Sequence, residues 1–335
     1  MAKKRTKAKS ARRKKGRAAR RPDMALQLMK VIGALAMLVL LVVIVAMMAR
    51  FLIRRPQGYV PPVVQMPAPP AKTHDTPAFE IYPQKPLPPK PITKLPQLPG
   101  GHPPLVAIVI DDIGYDPQIA HQLLSLDAPL TFSVLPYGPF SRKLAAQART
   151  QGHEIMLHLP MEPNEYPAVN PGPGALLAQM TPDQLIAQLE RDLSEISGLK
   201  GVNNHMGSGI STSPERMRQI FSILKKHNLY YIDSRTTAET VARPSAELLK
   251  IPFAERDIFI DHFVDEGFIS SQLKKLIKRA QDQGYAVGIA HPHAITLKVL
   301  TEFLPLLKEK VELVPASMVV EAEMGASLAE ARAMP

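Results

Sequence analysis

Between residues 105 and 317 the chain alternates short apolar runs with amphipathic stretches, and this alternation limits the folds open to it more than any other feature. The apolar runs are LVAIVI (105–110), LTFSVL (130–135), EIMLHL (154–159), LKGVNN (199–204), LYYID (229–233), DIFID (257–261), YAVGIA (285–290) and VELVPAS (311–317). Each has the length of a strand rather than a helix. The stretches between them carry helix signals. TPDQLIAQLERDLSEI places Thr181 at an N-cap and Pro182 at the first helical position, and SPERMRQIFSILKKH repeats the device with Ser213 and Pro214. SSQLKKLIKRAQDQG ends on Gly284, a C-cap residue, and LKVLTEFLPLLKEK carries Pro305 as an expected kink or break. Strand–helix units of roughly 25–30 residues predict a parallel α/β architecture. The expected fold is a distorted or incomplete (β/α) barrel of seven to eight parallel strands, with an open doubly wound sheet as the alternative.

This region, 104–320, is preceded by three segments of different character. Residues 1–30 hold 13 Lys and Arg against one acid, so the formal charge of +11 belongs to a basic tail and the other 305 residues sum to −1. That placement argues against specific nucleic-acid binding by the folded part; the arm suits anionic lipid headgroups. Val31–Ala49 then runs 19 residues without charge or proline. As a helix it would be roughly 28 Å long, close to the hydrocarbon thickness of a bilayer. It reads as one transmembrane helix, an uncleaved signal anchor. The charge bias keeps the N-terminus cytoplasmic and places the C-terminal domain across the membrane, in a periplasmic or other extracytoplasmic space. Residues 50–103 form a Pro-rich tether, with 16 prolines between Pro56 and Pro104, that reads as an extended spacer. Residues 321–335 read as a disordered tail. The chain has no cysteine, which removes disulfides, thiolate nucleophiles and thiolate metal sites.

In α/β barrels chemistry gathers at the C-terminal ends of the strands. Here those ends carry Asp111-Asp112, His158 with Glu162 four residues on, Asn203-Asn204-His205, Asp233-Ser234, Asp261-His262 and His291-Pro292-His293. Five of the ten histidines thus fall on one expected rim. A single strand-end carboxylate is often a helix cap, but histidine caps poorly. Asp, Glu and His together suit Zn²⁺ or a similar divalent ion.

The pieces VIDDIG, GHEIMLHLPMEP, NNHMGS, YIDSRT and GIAHPH, in this order, resemble the polysaccharide deacetylases, specifically their divergent branch. The resemblance covers about residues 104–320. It implies a metal-dependent carbohydrate deacetylase acting on N-acetylated envelope glycan, with Asp111 as catalytic base and Asp112 and His158 as metal ligands. It also implies His291 as the acid that protonates the leaving amine, oriented by Asp233. Two positions depart from the family pattern. Glu162 stands where a second histidine is expected; because the first, third and fourth strands bring Asp112, His158 and His205 to the same rim, these three are expected to form one metal site, with Glu162 as a candidate fourth ligand. The Arg-x-Pro loop is replaced by Asn204-His205-Met206-Gly207. The alternative reading is a catalytically inactive deacetylase-fold domain that binds glycan or an envelope protein.

Overall fold

The structure, a computed structural model, describes residues 24–53 and 103–333. The basic tail to residue 23 and the tether from 54 to 102 lie outside the described residues. The chain divides into two compact units, residues 1–74 and 75–335.

In the first unit, Met24–Ile53 forms one 30-residue helix, α1. It encloses the apolar run of Val31–Ala49 and extends beyond it at both ends. Leu38, Leu40, Leu41 and Ile44 on it are largely exposed. Among the described residues no helix is long and apolar enough to cross a membrane.

The second unit is built on nine strands. They are β1 (Leu105–Ile113), β2 (Thr131–Val134), β3 (Glu154–Met161), β4 (Gly201–Met206), β5 (Tyr230–Asp233), β6 (Phe253–Glu255), β7 (Ile258–Phe259), β8 (Tyr285–Ala290) and β9 (Glu312–Leu313). The order across the sheet is β6-β5-β4-β3-β2-β1-β8-β7, with β9 added to β1, and every pairing is parallel. The two edge strands are pieces of one extended segment: Arg256 N donates to Asp233 O of β5, and Asp257 N donates to Val287 O of β8. The sheet curls until its edges meet through those two residues, so the distorted barrel expectation holds and the open doubly wound sheet does not.

Side-chain alternation splits the interior into two cores. Val106, Ile108 and Ile110 of β1 join the layer under the surrounding helices, whereas Ala107 and Val109 pack inside the curl with Met156, Ile232, Val287 and Ile289. Because both faces of β1 are covered, it is a near-continuous apolar run. The helices of this unit are α2 (Pro117–Leu124), α3 (Ser141–Thr150), α4 (Pro182–Glu195), α5 (Pro214–Lys226), α6 (Ala242–Leu249), α7 (Glu266–Gln283) and α8 (Ala294–Lys310), of which α4, α5, α7 and α8 fall on the four stretches that carried helix signals and α6 on none of them. Thr181 and Gln184 close a capping box, Ser213 caps α5, and Gly284 ends α7 in the left-handed region. Pro305 lies inside α8, which continues past it.

Three details differ from the sequence reading. The short strand β6 has too few residues for a visible period. The eighth expected strand is only Glu312–Leu313, because Pro315 ends pairing and α9 (Ala316–Ala333) begins. That helix also occupies the stretch expected as a disordered tail, whose Ala, Glu and Met content favours helix. The start of α9 seals the inside of the curl. Val319 and Val320 are buried in the inner core, Ala316 N donates to Thr131 Oγ1 (2.9 Å), and Ser317 N donates to Glu154 Oε1 (3.0 Å).

One buried carboxyl works against this packing. Asp192 of α4 accepts from Gln188 Nε2 at 2.7 Å through Oδ1, while Oδ2 has no hydrogen-bond partner. Burial pushes its carboxyl up to about 7. The folded state holds the proton to about that pH, whereas the unfolded chain releases it near about 3.9, so stability is lost as pH rises between these values. Asp192→Asn should therefore stabilise the protein at pH 8 by on the order of 2–3 kcal/mol and confer little at pH 4. Denaturant unfolding at the two pH values checks this; an equal effect at both would show that the carboxyl's charge is not the cause.

Candidate metal centre and acid–base pair

The end of β1 solves a geometric problem. Adjacent strand residues point to opposite faces, yet Asp111 and Asp112 both reach His158. Pairing with β2 shifts register between Ile110 and Ile113, and Asp112 takes φ 56. This bulge with one left-handed residue turns the second carboxylate back toward the first. Tyr137 and Arg235, just beyond β2 and β5, and Met206, the last residue of β4, share positive φ. Non-glycine residues there cost on the order of 1–3 kcal/mol each, and such strain gathers where side chains must be aimed.

His158 Nε2, His205 Nδ1 and Asp112 Oδ1 converge on one point. Asp112 Oδ1 is 3.2 Å from His158 Nε2 and 3.1 Å from His205 Nδ1, and the two ring nitrogens are 3.2 Å apart. A tetrahedral ion with bonds of about 2.0 Å sets its ligand atoms about 3.3 Å apart. All three residues are buried, and Asp112 Oδ1 accepts no hydrogen bond. A buried carboxylate oxygen left this way facing two imidazole nitrogens is the donor set of a divalent cation. Among the described residues this is the group of three or more ligand-type side chains close enough to hold an ion.

The charges agree with that reading. Burial disfavours the Asp112 anion, but His205 and His158 outweigh it and hold the carboxyl well below the usual carboxylate range. Burial pulls the His158 imidazole down, and Asp111 and Asp112 reverse this and raise it to about 9. The site is thus arranged to hold positive charge.

Glu162 stands apart from this group. Its Oε2 accepts from Ala178 N at 2.8 Å, and its carbonyl accepts from Gly209 N and Ile210 N. It ties down the loop after β3, so the fourth-ligand expectation is corrected: the Glu162 carboxylate is engaged by Ala178 N and is not among the side chains that meet at the ligand point. Asn204 is likewise occupied, bonding Tyr231 Oη, Ser234 N and Met206 O on the opposite face of β4.

Two groups flank the ligand cluster. The Asp111 carboxylate receives Asn203 Nδ2 at 2.8 and 3.0 Å, and its Oδ2 is 3.7 Å from His158 Nε2. Burial pushes its carboxyl up, against the pull of His158, His291 and the Asn203 hydrogen bond. His291, at the end of β8, sits with Nδ1 2.9 Å from Asp261 Oδ1, while its backbone N donates to Asp261 Oδ2 (2.6 Å). Thr296 Oγ1 donates to the same Oδ2 at 2.8 Å. Burial lowers the His291 pKa, but Asp261, helped by Asp112 and Asp111, lifts it to about 10. Its ring also stacks on Phe259, with centroids 5.3 Å apart.

Asp261 therefore takes the orienting role expected of Asp233. Asp233 accepts from Arg235 N and Thr240 Oγ1, both at 2.8 Å, and shapes the turn after β5. Adjacency decides it: β7 pairs with β8, whereas β5 lies across the curl. Of the five rim histidines, 158 and 205 meet at the ligand point and 291 flanks it. His262 instead packs edge-on against Phe259 and Phe263, and His293 is the N-cap residue of α8. Asp261 was visible as a strand-end acid. The signal for Asn203 was its place two residues before His205, on the same strand face.

Comparison with known proteins places this geometry. Residues 108–320 match the family described as divergent polysaccharide deacetylase. The chain is 32% identical over 212 residues to the uncharacterized protein YibQ of Escherichia coli (strain K12), a match spanning 63% of this chain and 66% of that protein. It is 31% identical over 209 residues to an uncharacterized protein of Haemophilus influenzae, spanning 62% of this chain and 74% of that one. Among solved structures, the uncharacterized protein ATU2773 from Agrobacterium tumefaciens C58 superposes with a TM-score of 0.63 at 25% identity, covering 67% of this chain and 92% of that one.

Proposed function

The chain belongs to the divergent polysaccharide deacetylase family, and from that premise we propose that it is a membrane-anchored, zinc-dependent deacetylase of N-acetylated envelope glycan. The observation that carries the reading is the set of three ligand atoms 3.1–3.2 Å apart, with a fixed carboxylate and a charged imidazole beside it. A divalent ion held by Asp112, His158 and His205 would polarise the acetyl carbonyl and acidify a water. Asp111 takes the proton from the attacking water. His291, charged below about pH 10, gives a proton to the departing nitrogen through Nε2, because Asp261 engages Nδ1. A binding-only domain has no use for this acid and base on either side of an ion. One observation favours the inactive alternative: Glu162 and Asn204, where the family pattern differs, serve only local structure.

The anchor rests on the apolar run of Val31–Ala49 and the basic excess before it, with the domain on the far side of a bacterial inner membrane. A reporter active only in the cytoplasm, fused after Pro335, should stay silent; activity would overturn that topology.

The chemistry is tested by acetate release from N-acetylated chito-oligosaccharides and peptidoglycan fragments by the zinc-loaded full-length protein. Release should stop with chelator, return with Zn²⁺, and be absent in His158→Ala. Zinc binding by the wild type without release from any of these glycans would favour the binding-only alternative.

A further inference from the structure

Asn203 joins the two halves of the site. It is wholly buried on β4, and both polar atoms of its amide are engaged. Nδ2 donates to both oxygens of Asp111, Oδ1 accepts from Ser133 Oγ at 2.5 Å, and the same Oδ1 lies 2.8 Å from His158 Nδ1.

The direction of this amide follows from charge. A carboxylate only accepts, so the NH₂ end must face Asp111; turned over, the amide would set its oxygen against those of Asp111. Oδ1 consequently faces Ser133 and His158. An oxygen can bond His158 Nδ1 only if that nitrogen carries hydrogen. The lone pair for an ion is then on Nε2, the atom 3.2 Å from both Asp112 Oδ1 and His205 Nδ1. We infer that Asn203 is a positioning residue with two tasks: it locks His158 in the Nδ1–H form that ligation through Nε2 requires, and it aims the Asp111 carboxylate. The consequence for turnover rests on the deacetylase reading above; the lock on His158 does not.

Two substitutions separate the tasks. Asn203→Ala removes both partners and should weaken Zn²⁺ binding about 10–100-fold, as loss of a ligand's supporting hydrogen bond does. Asn203→Asp keeps an oxygen for His158 Nδ1–H but offers Asp111 no donor and sets a second anion beside it. Its Zn²⁺ affinity should stay within about threefold of wild type while deacetylation falls about a hundredfold or more. A merely structural role would lower both quantities in both variants in step with stability. Zinc titration of the full-length proteins, with ¹⁵N spectra of His158, reads the outcome. Equal Zn²⁺ affinity in wild type and Asn203→Ala, or equal loss in both variants, overturns the inference. So does a wild-type His158 without hydrogen on Nδ1, with or without ion. If wild type deacetylates nothing, the deacetylase reading fails, and the affinity split and the His158 signal still decide this one.

Discussion

Asparagine in place of Asp111 should leave Zn²⁺ affinity within a few-fold of wild type and lower deacetylation by about a thousandfold, whereas asparagine at Asp112 should weaken the ion itself by at least about a hundredfold. The two residues are neighbours, so any general disturbance of the β1 end would affect both alike. The structure separates them: Asp112 Oδ1 sits 3.1–3.2 Å from two imidazole nitrogens and accepts no hydrogen bond. Asp111 is turned to Asn203 and lies 3.7 Å from His158 Nε2. An amide at residue 111 keeps the shape but cannot take a proton. An amide at residue 112 loses the negative charge that the cation needs. Zinc titration and acetate release measured on both variants check the split. Matching losses of affinity in the two would remove the distinction between ligand and base.

The second large effect concerns the acid. Asp261→Asn should lower turnover about a hundredfold or more and move the alkaline limb of the pH–rate profile to lower pH. His291 is held charged chiefly by Asp261, which outweighs the opposing effect of burial. The raised value means that the proton is present at neutral pH and lost only as pH climbs toward about 10. Without that anion, it is lost earlier. Asp233→Asn is the control. Asp233 is buried as well, but its oxygens serve Arg235 N and Thr240, so this change should alter stability and leave the alkaline limb in place. Profiles that shift equally in the two variants would sink the assignment of Asp261.

Much of this was legible in the sequence because it depends on local pattern. The strand and helix periods, the caps at Thr181, Ser213 and Gly284, and the pile of acids and histidines at strand ends need only the nearest few residues. A parallel sheet then puts every strand end on one rim, so Asp112, His158 and His205 could be grouped before any coordinates. Partner choice was not legible. Whether Asp233 or Asp261 faces His291 depends on which strand lies next to β8, and that is set when the sheet curls and the 253–259 segment joins its edges. Glu162 looked like a ligand by spacing, but its carboxylate is engaged by Ala178 N.

The sequence by itself determined the alternation that makes a parallel α/β barrel and the residue types available at its rim, because apolar period and donor chemistry are written residue by residue. Only the tertiary structure decided which of those residues meet. The bulge that turns Asp112, the amide of Asn203 bridging base and ligand, and Asp261 beneath His291 each depend on groups from different strands. Hydrogen-bond distances near 3 Å between such strands follow from curl and register, which no local pattern specifies.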